Sequence, residues 1–306
     1  MKKRYHFYIA MGLLLIGLIV ASFLDRQLSE AIFDRYNGFG LTLSSFGMIP
    51  GYGFLSFLGG ALLAVGVLDK KHPIWLRIIF GAFCVALYGL STYYLGRDVF
   101  GFNGFYNEKL YWLGFVIMGV LMVGMFVFGY FMGKKNENPK MWIIILVLAG
   151  AVFMALVPGT SLLKAIMHRP RFRIAIFEGY ADYKNWWQPT SNYKDIIASH
   201  PGLLTKEEFK SFPSGHSTAA MVGVILLSSL PLFDKKLLKY QVLFFYIGFV
   251  WALVVMFARI LVGAHYLSDT CFGALLTIIF YFIANEFVVR LLSPKEEKPF
   301  EAEEEQ

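Results

Sequence analysis

The stretch Phe212-Pro213-Ser214-Gly215-His216-Ser217-Thr218 decides how the chain is read. It stands where a polar segment gives way to the apolar run Ala219 to Leu232. That position puts Ser214 and Gly215 in the first turn of a membrane helix. Backbone N–H groups there have no intrahelical partner, and the helix dipole is positive. Gly215 has no side chain to keep an anion away, so the turn can bind phosphate. His216 beside it can give or take a proton near neutral pH. A serine cap next to an interfacial histidine would read the same way, so the stretch needs support from elsewhere in the chain.

Composition sets the environment. The 306 residues are 57% hydrophobic and only 16% charged, and the mean hydropathy is +0.58. These values argue against a soluble domain and for a membrane protein. The net charge of +7 does not point to nucleic acid, because the lysines form short clusters between apolar runs, as in cytoplasmic loops. Cys84 and Cys271 both lie inside apolar runs. They read as small buried hydrophobes, with no disulfide framework.

The apolar runs predict an all-α, polytopic helix bundle of about eight transmembrane spans. They cover His6 to Leu24, Gly51 to Leu68, Trp75 to Leu95, Tyr111 to Met132, Met141 to Pro158, Ser214 to Phe233, Gln241 to Val262 and Tyr266 to Leu292. Met1-Lys2-Lys3-Arg4 precedes the first run without a clear small-x-small cleavage site, so that run is expected to stay as a helix. Asp25 to Pro50 reads as a mixed loop with a short interfacial helix. Residues 293–306 read as an acidic, disordered cytoplasmic tail. Lys2, Lys3, Arg4, Lys70, Lys71, Lys134, Lys135, Lys140, Lys235, Lys236 and Lys239 all fall on one side of such a bundle. The positive-inside rule makes that side cytoplasmic.

Two further clusters flank the first. Upstream lies Lys164-Ala165-Ile166-Met167-His168-Arg169-Pro170-Arg171-Phe172. Downstream lies Ala258-Arg259, with His265 and Asp269 beyond it. In the eight-span arrangement all three clusters meet the outer surface. Charges at such depths often serve only as snorkelling anchors. His265 and Asp269 are four apart, so on a helix they would share a face. The carboxylate could then accept from one ring nitrogen and leave the other free as a nucleophile. There is no His-Glu-x-x-His motif, no paired cysteines and no carboxylate cluster near these residues, so no metal and no cofactor is expected.

Together the clusters resemble the three signature motifs of the type 2 phosphatidic acid phosphatase family, whose superfamily includes the vanadium haloperoxidases. That family's pattern is Lys-x6-Arg-Pro, then Pro-Ser-Gly-His, then Ser-Arg-x5-His-x3-Asp. Phe172 stands where the family has Pro, and Ala258 where it has Ser. The charged positions are intact. The resemblance spans about Trp75 to Leu292. It implies a six-span phosphatase core over residues 75–292, with residues 1–74 adding two spans. It further implies that His265 attacks phosphorus to form a phosphohistidine, that Asp269 orients it, and that His216 protonates the departing oxygen. Lys164, Arg171 and Arg259 would hold the nonbridging oxygens with Ser214 and Gly215. Arg169, too close to Lys164 for the family spacing, is expected from its position to support Arg171.

The implied activity is metal-independent hydrolysis of a lipid phosphate or diphosphate at the outer face of a bacterial cell membrane. Phosphatidic acid, phosphatidylglycerol phosphate and undecaprenyl diphosphate are all compatible. A phosphotransferase using the same intermediate, a sugar-phosphate hydrolase, or a transporter or inactive scaffold are the alternatives. The partners are membrane lipids and the lipid substrate. The aromatics of the loop 172–212, Trp186 and Trp187 among them, suggest either an interfacial belt alone or a belt that also lines a lipid entrance.

Overall fold

The computed structural model of the chain describes residues 4–101, 105 and 107–293. It is helical throughout, and among the described residues eight helices are long and apolar enough to cross a membrane. Lys2, Lys3 and the expected tail from Pro294 onward lie outside the described residues.

The first span is α1, Tyr5–Ile32. The second is built from α2, Gly38–Phe46, and α3, Ile49–Leu62, which runs on as a π-helical turn, Leu63–Val67. Next come α4, Ile74–Val99, and α5, Tyr111–Lys134. The fifth span comprises α6, Met141–Leu156, a π-helical turn, Val157–Leu162, and α7, Leu163–Met167. After the long loop and its short α8, Tyr193–Ser199, the chain ends in α9, Gly215–Phe233, α10, Gln241–Leu261, and α11, Leu267–Leu292.

Burial ranks these helices. The most apolar window of α9 is 78% buried, whereas that of α5 is 17% buried and presents its side chains outward. The centre is therefore α9, packed on α10, α11, α3 and α6, while α1 lies along α11 and α2 packs on α10 and α4. Small residues let the helices approach closely, as membrane packing favours. At Gly273 of α11, an added Cβ would stand 2.5 Å from the Ser214 carbonyl oxygen.

Two expected boundaries are corrected. The segment Asp25 to Pro50 is not a mixed loop. Helix α1 continues to Ile32, and the second span begins at Gly38. Asp25 can stay inside α1 because it is buried against a cation, Arg169, at 2.9 Å, and Arg26 and Glu30 form an i,i+4 pair on the next turn. The fifth span does not stop at Pro158 but runs to Met167. The π-helical turn absorbs the proline, which has no N–H to donate, and the Thr160 hydroxyl donates to the Ala155 carbonyl at 2.9 Å. His168, in the left-handed region at φ 43°, ends the helix.

The loop after α7 is a folded cap with its own small core of Ile174, Leu204 and Phe209. Arg173 and Glu208 pair across it at 3.1 Å. Trp186 donates from Nε1 to Ser22 of α1 at 3.1 Å and packs on Phe212, while Trp187 remains exposed. At the opposite pole, Arg4 pairs with Glu286, and Lys140 donates to the Leu291 carbonyl.

Candidate active site

The N-terminus of α9 forms one wall. Ser214 caps the helix, its Oγ accepting from the Ser217 N–H at 3.3 Å. The Ser214 N–H donates to the Asp269 carbonyl at 2.9 Å, which binds the start of α9 to the start of α11. His216, one residue into the helix after Gly215, is buried, with Nε2 2.9 Å from the Ser44 carbonyl of α2. A carbonyl can only accept, so that nitrogen carries the proton. The Asp98 carboxylate at the end of α4 lies 3.8 Å from the same nitrogen.

The opposite wall is the tight connection from α10 to α11. Gly263 turns it with φ 65°, and the Ala264 and His265 N–H groups both donate to the Arg259 carbonyl. His265 donates from Nδ1 to the Ser211 carbonyl at 2.7 Å. The lone pair therefore sits on Nε2. The expected helical pair is corrected here, since His265 precedes the first residue of α11 and only Asp269 lies in the helix. The nearest Asp269 oxygen is 3.7 Å from His265 Nδ1, within ion-pair reach but beyond a hydrogen bond. Asp269 is held instead by Ser211 Oγ at 2.5 Å, the Tyr266 N–H at 2.9 Å and Arg169 at 2.6 Å.

Three cations surround these histidines. Lys164, at the end of the fifth span, donates to the Lys210 carbonyl at 2.8 Å. Arg171 donates from Nε to the Glu207 carbonyl and from Nη1 to the Ala264 carbonyl. Burial, with Arg173 adding to it, brings Arg171 down to about 10. Arg259 is fully buried and hydrogen-bonded to Ser44 Oγ. All three act on His265. Burial holds its ring well below the ordinary histidine pKa; the Asp269 carboxylate works against that, and the Arg171, Arg259 and Lys164 charges reinforce it. The fold thus gathers His216, His265, Asp269, Lys164, Arg171, Arg259, Ser214 and Gly215 at one end of the bundle. Among the described residues no group of three or more His, Cys, Asp or Glu is placed to hold a metal ion.

Arg169 does not support Arg171. It is fully buried, and bridges Asp25 and Asp269. Asp25, Ser44, Asp98 and Ser211 are further site neighbours that the motifs do not mark. Only Asp25 left a sequence signal, as a carboxylate ending an apolar run.

The profile of the PAP2 superfamily matches residues 140–292, half of the chain. The chain belongs to the PAP2 superfamily. This PAP2 protein is a phosphatase and an integral membrane protein. It is similar to phosphatidylglycerophosphatase B of Haemophilus influenzae (strain ATCC 51907 / DSM 11121 / KW20 / Rd), with 26% identity over 172 residues, covering 50% of this chain and 71% of that relative. It is also similar to the crystal structure of the first transmembrane PAP2 type phosphatidylglycerolphosphate phosphatase from Bacillus subtilis. That match has a TM-score of 0.38 and 17% identity, covering 84% of this chain and 99% of the other.

The lowered His265 pKa has a measurable sign. A ring held below the ordinary value of about 6.5 stays neutral as pH falls through that value. Nitrogen NMR of histidine-labelled PAP2 protein at about pH 6 is expected to show His265 neutral, with its proton on Nδ1. A cationic ring, or a proton on Nε2, would contradict the geometry.

Proposed function

We propose that this PAP2 protein hydrolyses a lipid phosphate monoester or diphosphate through a phosphohistidine on His265, at the extracytoplasmic face. The observation that carries the reading is the His265 ring. Its Nδ1 proton is committed to Ser211, so Nε2 presents a lone pair among three cations. In the first step Nε2 of His265 attacks phosphorus and the bond to the lipid oxygen breaks. His216, protonated on both nitrogens with Nε2–H kept on the Ser44 carbonyl, gives that oxygen its Nδ1 proton. In the second, His216 takes a proton from water, the water oxygen bonds to phosphorus and the P–N bond breaks. Phosphate and neutral His265 result. Lys164, Arg171 and Arg259, with the first turn of α9, hold the nonbridging oxygens where charge accumulates in the transition state. The arginine forks suit paired oxygens. The six spans from residue 75 would form the family core, which the first two spans complete.

Among lipid phosphates we favour phosphatidylglycerol phosphate, a choice supported by the similarity to phosphatidylglycerophosphatase B of Haemophilus influenzae. Phosphate release by the purified protein from phosphatidylglycerol phosphate, phosphatidic acid and undecaprenyl diphosphate tests the reading. Release is expected to be fastest from the first, and release from none of them would refute the proposed activity.

The outer-face placement is supported by the lysine clusters at the opposite pole. Thr190 is buried, but its neighbour Ser191 is exposed on the cap. A cysteine at Ser191 is expected to react with an impermeant maleimide in intact cells. Labelling only after lysis would reverse the orientation.

A further inference from the structure

A buried polar cluster that the proposed steps do not use lies behind Asp269. Arg169 is wholly buried and all three of its nitrogens are engaged. Nε donates to the Lys184 carbonyl at 2.8 Å, Nη1 to Asp269 Oδ1 at 2.6 Å and to Ser268 Oγ at 2.7 Å, and Nη2 to Asp25 Oδ2 at 2.9 Å. Its plane lies over the Tyr266 ring, 4.1 Å from the centroid. Asp25 comes from the last third of α1, far outside the stretch matched by the family profile. Its second oxygen accepts from the Ser268 N–H at 2.9 Å, and Ser268 Oγ bonds to the first. The two carboxylates are 1% and 0% exposed.

We propose that Asp25 is a positioning residue for phosphoryl transfer, a counter-ion to Arg169 that leaves the charge of Asp269 free to act on His265. The inference rests on the phosphohistidine reading above. One guanidinium lies between two carboxylates, so the trio carries a net charge of −1 (two negative, one positive). When Nε2 attacks phosphorus, positive charge develops on the His265 ring, and the Asp269 carboxylate lies 3.7 Å from Nδ1. Without Asp25, Arg169 would be balanced by Asp269 alone, and that field would be cancelled at the ring. In a dry site such a cancellation is felt strongly. The phosphate itself is held by other groups, so the effect falls on the chemical step rather than on binding.

Asp25→Asn removes the charge and keeps the shape. Gel-filtered, folded Asp25→Asn protein is expected to lose roughly 10- to 100-fold in kcat, the range for groups that stand behind a reacting ligand, with KM little changed. The double variant Asp25→Asn with Arg169→Gln removes both charges and restores the net −1 on Asp269. It is expected to be more active than Asp25→Asn alone. A residue that merely ties α1 to the cap would give the reverse order, because the second change removes more contacts. Unchanged kcat in Asp25→Asn, or a double variant no more active than the single one, overturns the proposal. Should Asp25→Asn not fold, the double variant is compared with wild type. Activity within about tenfold then supports the proposal, and a folded but inactive double variant overturns it. His265→Ala is measured in parallel. Turnover by His265→Ala sinks the phosphohistidine reading. An inactive His265→Ala beside a fully active Asp25→Asn sinks only the role of Asp25.

Discussion

Replacing His265 with alanine is expected to abolish turnover of every phosphate ester, whereas replacing His216 is expected to spare some substrates. The difference lies in what each ring does. In the proposed reaction His265 supplies the lone pair that bonds to phosphorus, and no leaving group can replace it. His216 supplies a proton, and the need for it depends on the departing oxygen. A lipid alkoxide is a strong base that leaves only when protonated. A nitrophenoxide is a weak base and leaves without help. General acid catalysis typically contributes about 10²–10⁴-fold. His216→Ala should therefore reduce kcat on a lipid monoester by roughly that range and reduce nitrophenyl phosphate turnover much less. Both kcat and kcat/KM must be compared, because His216 also borders the proposed phosphate site. Rapid-quench measurement of phosphoenzyme formation separates its role in the second step. Equal losses on both substrates, with phosphorylation rate-limiting, would remove the general-acid assignment.

The second large effect is expected at Gly273, a residue that meets no substrate. Its Cα faces the start of α9 so closely that an added Cβ would lie 2.5 Å from the Ser214 carbonyl and 2.8 Å from Thr218 Oγ1. The nearer atom belongs to the backbone and cannot rotate away. The Thr218 hydroxyl is also engaged, donating to the Gly273 carbonyl at 3.1 Å. Gly273→Ala must push α9 from α11 at the level where one carries His216 and the other follows His265. A displacement of about 1 Å can cost on the order of 10²-fold in rate. The expected outcome is a kcat loss of about that size together with a lowered unfolding temperature in detergent. Retained turnover would mean that the helices can separate without disturbing the two rings.

Much of this was legible in the sequence because it lies in local order. The apolar runs mark the spans, and three short motifs place both histidines, Asp269, Lys164, Arg171 and Arg259. What stayed hidden depends on distant partners or on the backbone. Asp25 looks like the end of a helix because a lone carboxylate ends most apolar runs. Only the fold reveals Arg169 opposite it, 144 positions away. The spacing of His265 and Asp269 suggests a helical pair. The group that accepts the hydrogen bond from His265 Nδ1–H is the Ser211 carbonyl, and any residue type at 211 would present one. Ser44 and Asp98 reach His216 from the second and third spans with no motif to mark them.

The turn at Val157–Leu162 sets the phase of the fifth span. Along α6 the buried positions Met141, Ile144, Ile145, Leu148, Val152 and Ala155 follow the ordinary helical period. Continued unchanged, that stripe would pass through Gly159. Beyond the π-helical turn the buried position is Thr160 instead, and Lys164 follows one turn later. The stripe has slipped by one residue, a rotation of about 100°. Without that slip Lys164 would face a different side of the helix, away from His265. The proline that seems to end the span is part of a one-residue change of phase, and that change carries a lysine from a lipid-facing register towards the proposed phosphate site.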